Sequence, residues 1–90
     1  MYEWDEAKRE SNLKKHGLDF YAAHLVYEDP RKVTSRLKSR QEARYLDIAL
    51  AEIKGAILAL VYTMRNGKVR FISFRYASRI ETRRYATAKP

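Results

Sequence analysis

The sequence predicts an α+β fold: an antiparallel sheet of about four strands, with two N-terminal helices and a short C-terminal helix packed on one face. Three observations carry this prediction. Residues 6–28 read with helical spacing between clear start and stop signals, residues 45–75 read as strands, and an Asn66-Gly67 pair separates two of those strands.

Each element follows from local chemistry. Residues 2–4 are a short strand candidate. Asp5 caps a helix over residues 6–16, with Glu6 and Glu10 early, Lys14, Lys15 and His16 at its end, and Gly17 as a left-handed stop. Asp19 caps a second helix running to about Glu28 and ended by Pro30; Phe20, Ala23, His24 and Tyr27 form its apolar stripe, widened by Leu25 and Val26. Residues 32–35 are a weak strand and residues 36–42 a charged loop. Residues 45–50 alternate, Leu46, Ile48 and Leu50 against Tyr45, Asp47 and Ala49, as a half-buried strand does. Residues 56–63 are apolar on both faces and read as a central strand, and Asn66-Gly67 returns the chain as a hairpin through residues 68–75. Ser78 and Glu81 form a capping box opening a helix to about Ala86.

Ninety residues allow one domain, residues 1–90, with a thin stability margin. The absence of cysteine excludes disulfides, thiolate nucleophiles and cysteine metal sites. The longest apolar run, residues 56–62, falls far short of the roughly 18 residues of a membrane span, and the N-terminus lacks a signal-peptide pattern. The expectation is a soluble, cytoplasmic protein with no membrane partner.

The net charge of +8 is unevenly placed: residues 1–30 carry −3, residues 31–44 carry +5, residues 45–64 carry −1 and residues 65–90 carry +7. Scattered excess charge is ordinary solvation. Clustering in one loop and the C-terminal quarter points instead to a polyphosphate partner.

No metal or cofactor site is expected. His16 and His24 are the only histidines and lie on different predicted helices, and the three glycines are isolated turn residues rather than a phosphate-cradling loop. What remains is cationic and aromatic. Cleaving RNA without a metal needs a base for the 2′-hydroxyl, cations on the phosphorane-like transition state and an acid for the leaving oxygen. Arg70, Arg75, Tyr76, Arg79, Arg83, Arg84 and Tyr85 supply guanidiniums that grip phosphates and rings that stack on bases, and Lys14, Lys15 and His16 form a second group. Catalysis and plain nucleic-acid binding fit these residues equally.

Tyr2-Glu3-Trp4-Asp5, Lys8, Asn12, Lys15-His16-Gly17 and Phe20, followed by Ile72-Ser73, Arg75, Ala77, Glu81, Arg84 and Tyr85, resemble the two signatures of the BrnT toxin family, in register across nearly the whole chain. The resemblance implies a type II toxin with a RelE-like fold that cleaves RNA without a cofactor. It also implies a cognate BrnA-like antitoxin with a ribbon-helix-helix domain, through which alone the complex contacts DNA. The chain departs from the pattern twice. Phe74 replaces a small residue before the strand-end arginine, either adding a stacking ring or crowding the site, and Thr82 replaces the arginine after Glu81.

The candidate catalytic residues are therefore His16 and Lys15 for proton transfer, with acid and base unassigned, and Arg75 and Arg79 for phosphate charge. Lys8, Arg36, Lys38, Arg40, Arg70, Phe74, Tyr76, Arg83 and Arg84 are the candidate RNA-binding residues. Each has a bland alternative. His16 complements a helix dipole, Arg75 fits an inter-element ion pair, and capping alone accounts for Glu81. His24, Trp4 and Tyr85 read as packing residues. The expected function is a metal-independent endoribonuclease toxin acting on single-stranded RNA to inhibit translation and growth. The alternatives are a non-catalytic RNA- or ribosome-binding module, or an inactive toxin homologue acting as co-repressor.

Overall fold

The computed structural model describes residues 1–52 and 54–88. Strand β1 (Tyr2–Glu3) leads into helix α1 (Glu6–His16). The Asp5 side chain accepts from the N–H groups of Ala7 at 2.8 Å and Lys8 at 3.2 Å, and Gly17, at φ 71°, returns its N–H to the Leu13 carbonyl at 2.8 Å. Both helix ends are thus satisfied by the residues that the sequence marks.

The second expected helix is broken. Asp19 caps a 3-10 turn over Phe20–Ala22, and a single α-helical turn, α2 (His24–Tyr27), follows. Phe20, Ala23 and Val26 are all fully buried. Their spacing of three matches the tighter 3-10 repeat, which aligns positions i and i+3. Leu25, assigned to the apolar face, is instead exposed.

The sheet has five strands, β1, β2 (Val33–Leu37), β3 (Arg44–Ala51), β4 (Ala56–Arg65) and β5 (Lys68–Tyr76), in the order β1-β5-β4-β3-β2. It is mixed rather than wholly antiparallel, because β1 pairs parallel with β5. This corrects the expected four antiparallel strands. Asn66 (φ 53°) and Gly67 (φ 75°) make the β4–β5 turn, both in the left-handed region that a two-residue hairpin of this kind requires.

One irregularity decides where the site residues point. On β5, Phe71 pairs with Tyr62 and Ser73 with Val61, leaving Ile72 as an extra residue in the ladder. Uninterrupted alternation from Phe71 would place Phe74 on the opposite face; the extra residue reverses the phase. Phe74 therefore joins Leu60 and the core at 1% exposure, and Arg75 lies in a row with Ala59, Ile48 and Val33 on the other face.

The first face is covered by the N-terminal elements. Trp4 stacks on Phe71 with centroids 5.9 Å apart, and Phe20 meets both rings edge-on. Helix α3 (Arg79–Ala88) covers the second face, with Glu81 bonded to Arg75 and Arg84 reaching the Ser35 hydroxyl at 3.3 Å. The expectation of helices on one face is thus corrected to a helix layer on each side of the sheet. Leu46, Ile48 and Ala59 point to the α3 side and are buried there with Tyr85, so this face too needs cover. Among the described residues no helix is long and apolar enough to cross a membrane.

Candidate active site

Strand β5 is an edge strand beyond its short pairing with β1, and α1 closes part of that edge. The Asn12 carboxamide donates to the Phe74 carbonyl at 2.8 Å and accepts from the Phe74 N–H at 3.0 Å, as a neighbouring strand would. Its Nδ2 also donates to the Leu18 carbonyl at 3.0 Å. Asn12 is only 7% exposed, so these bonds are shielded from water. The clamp sets α1 against β5 beside Arg75, and His16 follows Asn12 by one helical turn on the same side of α1.

The electrostatics agree with that placement. Burial, followed by the positive charges of Lys15 and Arg75, holds the His16 imidazole below its ordinary pKa. Arg75 is thus the smallest of the three influences acting on His16. A histidine so held is neutral at neutral pH and can accept a proton.

Arg75 is itself engaged. Its Nη1 donates to Glu81 Oε1 at 2.7 Å and its Nη2 to Glu81 Oε2 at 2.9 Å, a two-point ion pair. Glu81 Oε1 also accepts from the Ser78 N–H at 2.9 Å, while the Ser78 hydroxyl accepts from the Glu81 N–H at 3.2 Å, completing the capping box. The Arg75 hydrogen bonds, with help from Ser78 against the cost of burial, hold the Glu81 carboxyl down at about 2. Glu81 therefore does more than cap α3; it also grips Arg75.

The remaining candidates divide by position. Lys8 and Lys15 are exposed on α1, two turns apart. Arg79 and Arg83 are exposed one turn apart on α3, where with Ala77, Thr82 and Ala86 they line an open hollow of about 440 Å³ next to the end of β5. Tyr76, at that strand end, is 48% exposed and offers a ring face to a base. Phe74 does not. Its ring is locked in the core by the reversed phase, so it cannot serve as the expected stacking platform without unfolding that core.

Arg36, Lys38 and Arg40 are exposed around an open hollow of about 530 Å³ at the turn from β2 to β3. That turn lies beyond the row Leu37–Arg44–Thr63–Arg70, four residues along and three strands across from Arg75. The separation is about 20 Å at ordinary strand spacings. Arg70 belongs to this far row and is paired with Glu3 at 3.1 Å, so it is not part of the Arg75 corner. Helix α3 runs into the gap, with Arg84 at its middle reaching the Ser35 hydroxyl.

Lys32, counted in the basic cluster of residues 31–44, is neutralised. Its Nζ lies 2.7 Å from the fully buried Asp47, which also accepts from Thr34 at 2.6 Å and Tyr62 at 3.1 Å. Among the described residues no three His, Asp or Glu side chains gather as a metal site would require.

Sequence reasoning gave no role to Asn12 as a clamp; for Arg75 it offered an inter-element ion pair as the alternative to a phosphate role, which the structure shows, but it did not name Glu81 as the partner. An amide in the middle of an exposed, charged helix was the available signal for the first, since asparagine there has poor helix propensity and needs a reason. The second had none beyond the capping box.

Among curated proteins no sequence matches this chain. A family model described as the ribonuclease toxin BrnT of type II toxin-antitoxin systems matches residues 4–81, a span containing Asn12, His16, Arg75 and Glu81. The chain belongs to the BrnT family of ribonuclease toxins.

Proposed function

We propose that this toxin cleaves single-stranded RNA, without a metal, at the corner where α1 meets the end of β5. The observation that carries the reading is the Asn12 clamp, which brings neutral His16 within the field of Arg75. His16 takes the proton of a 2′-hydroxyl as its oxygen attacks the adjacent phosphorus. Arg75 and Arg79 stabilise the charge on the phosphorane, and Lys15 gives a proton to the 5′-oxygen as the P–O5′ bond breaks. The products are a 2′,3′-cyclic phosphate, which water can open to a 3′-phosphate, and a 5′-hydroxyl.

Lys8, Tyr76, Arg83 and Arg84 flank this corner and line the way along α3, and Arg36, Lys38 and Arg40 hold a more distant part of the strand. Cleavage inhibits translation and growth. A BrnA-like ribbon-helix-helix antitoxin covers the basic surface, and DNA is contacted only through it.

One observation favours the non-catalytic alternative, an RNA-binding module or inactive co-repressor: the Arg75 charge is already matched by Glu81. The discriminating experiment is purified protein, with and without EDTA, on a labelled RNA ladder. Cleavage in both conditions with cyclic-phosphate ends supports the reading. RNA that is bound but left intact decides for the alternative.

A further inference from the structure

We infer that Glu81 is a positioning residue for catalysis: it holds the Arg75 guanidinium by its end-on edge, so that the remaining edge, formed by Nε–H and the outer Nη2 hydrogen, faces the scissile phosphate. This inference rests on the cleavage reading above.

A guanidinium presents two forks, one formed by Nη1 and Nη2 and one by Nε and a single Nη. Glu81 fills the first with both carboxylate oxygens. The third bond of Arg75 runs from Nη1 to the Tyr76 carbonyl at 3.4 Å, again leaving the Nε side untouched. Among the described residues no hydrogen bond engages the Arg75 Nε–H. The side fork is thus the one geometrically available to two phosphate oxygens.

The holder is itself held. Glu81 is tied at both its backbone and its side chain to Ser78, so the carboxylate is fixed to the start of α3 and not to a mobile tail. The bulge at Ile72 and the Asn12 clamp fix the other side, the β5 backbone from which Arg75 projects. A long arginine side chain has much rotamer entropy to lose, and a fixed carboxylate removes that cost before substrate arrives. The same carboxylate opposes ground-state attraction between Arg75 and an anion. Its benefit therefore falls on orientation in the transition state more than on substrate affinity.

The test measures cleavage of a fluorescent single-stranded RNA oligonucleotide by the wild-type chain, Glu81→Gln, Glu81→Asp, Ser78→Ala, Arg75→Ala and the Arg75→Ala/Glu81→Gln double variant, at a temperature where all keep the wild-type circular dichroism. Glu81→Gln is expected to lower kcat about 10- to 100-fold while KM stays within about twofold or falls. Glu81→Asp, which keeps the carboxylate, recovers part of kcat. Ser78→Ala loses the hydroxyl bond to the Glu81 N–H but keeps the Ser78 N–H bond to the carboxylate, so it lowers Tm and lowers kcat far less than Glu81→Gln does. In the Arg75→Ala background the Glu81→Gln change has less than about a twofold effect, because a positioning residue has nothing left to position.

Wild-type kcat in Glu81→Gln overturns the inference, as does a raised kcat, which would make Glu81 a restraint on Arg75. A multiplicative loss in the double variant overturns it in favour of direct chemistry by Glu81, and an equal loss in Ser78→Ala reduces it to stability. Absence of cleavage by the wild-type chain is distinct from all of these: it removes the cleavage reading, and this inference with it.

Discussion

Replacing Asn12 with alanine removes three hydrogen bonds at once, two to Phe74 and one to Leu18, all between 2.8 and 3.0 Å. The site is shielded, with Asn12 at 7% exposure and Phe74 at 1%. Each such bond contributes about 1 kcal/mol net, and a backbone group left unpaired in a buried place costs about 1–3 kcal/mol. Some relaxation and water entry will offset part of this, so the expected loss is about 3–4 kcal/mol. That is a large share of the roughly 5–13 kcal/mol available to a domain of this length, and it corresponds to a Tm drop of about 15–25 °C. Asn12→Asp should be no milder, since a carboxylate can accept from the Phe74 N–H but faces two carbonyl oxygens without a donor. Chemical and thermal unfolding followed by circular dichroism measures the loss. NMR titration of His16 supplies an independent readout: in any folded population of the alanine variant its pKa rises, as the loosened α1 exposes the imidazole to water and draws it away from Arg75. A loss below about 1 kcal/mol, with the His16 titration unchanged, would refute the assignment of Asn12 as the clamp.

Three other outcomes follow from the same geometry. Glu81 has a folded-state pKa of about 2, below its ordinary value, so its ion pair contributes stability above about pH 4.5 that disappears as pH falls toward 2. Acid unfolding of Glu81→Gln should lack about 1–2 kcal/mol of that dependence, after allowance for its partial solvation. His16 is likewise depressed, so the unfolded chain takes up its proton first and stability declines as pH falls through 6.5 toward the folded-state value; unfolding curves of His16→Gln should lose that slope. Phe74→Ala should cost about 3–5 kcal/mol by emptying a core position, whereas Tyr76→Ala at the exposed strand end should change unfolding stability by under about 1 kcal/mol and act on RNA affinity instead.

Much of the fold was legible because its signals are local. Asp5 and Gly17 delimit α1, Asn66-Gly67 makes the hairpin, and Ser78 with Glu81 starts α3, each through contacts within a few residues. The misread features depend on distant partners. The bulge at Ile72 is a property of the β4–β5 register, and without it Phe74 would face away from the core. The burial of Phe20, Ala23 and Val26 broke the second helix into a 3-10 turn and a short α-turn, although an amphipathic stripe could be drawn through the same residues. Lys32 looked like surface charge because its neutralising partner, Asp47, lies on the neighbouring strand.

The site was legible in the same uneven way. Residue chemistry and the family resemblance nominated His16, Lys15, Arg75 and Arg79, and the Asn12 bonds to Phe74 hold the helix that carries His16 against the strand that carries Arg75. Net charge overstated what can gather there. Arg70 is spent on Glu3 in a distant row of the sheet, and Arg36, Lys38 and Arg40 are separated from Arg75 by the width of three strand steps. An electrostatic count by sequence block cannot distinguish a cation held by a carboxylate from one facing solvent.

The proposal that His16 and Arg75 act on a single phosphate is most directly tested by single-turnover cleavage with His16→Ala, Arg75→Ala and the double variant, each shown to keep its fold. Each single change should lower the rate at least about 100-fold, and the double variant should fall far short of the product of the two losses, as groups serving one transition state do. Wild-type cleavage by either single variant, or losses that multiply as for independent sites, would contradict it.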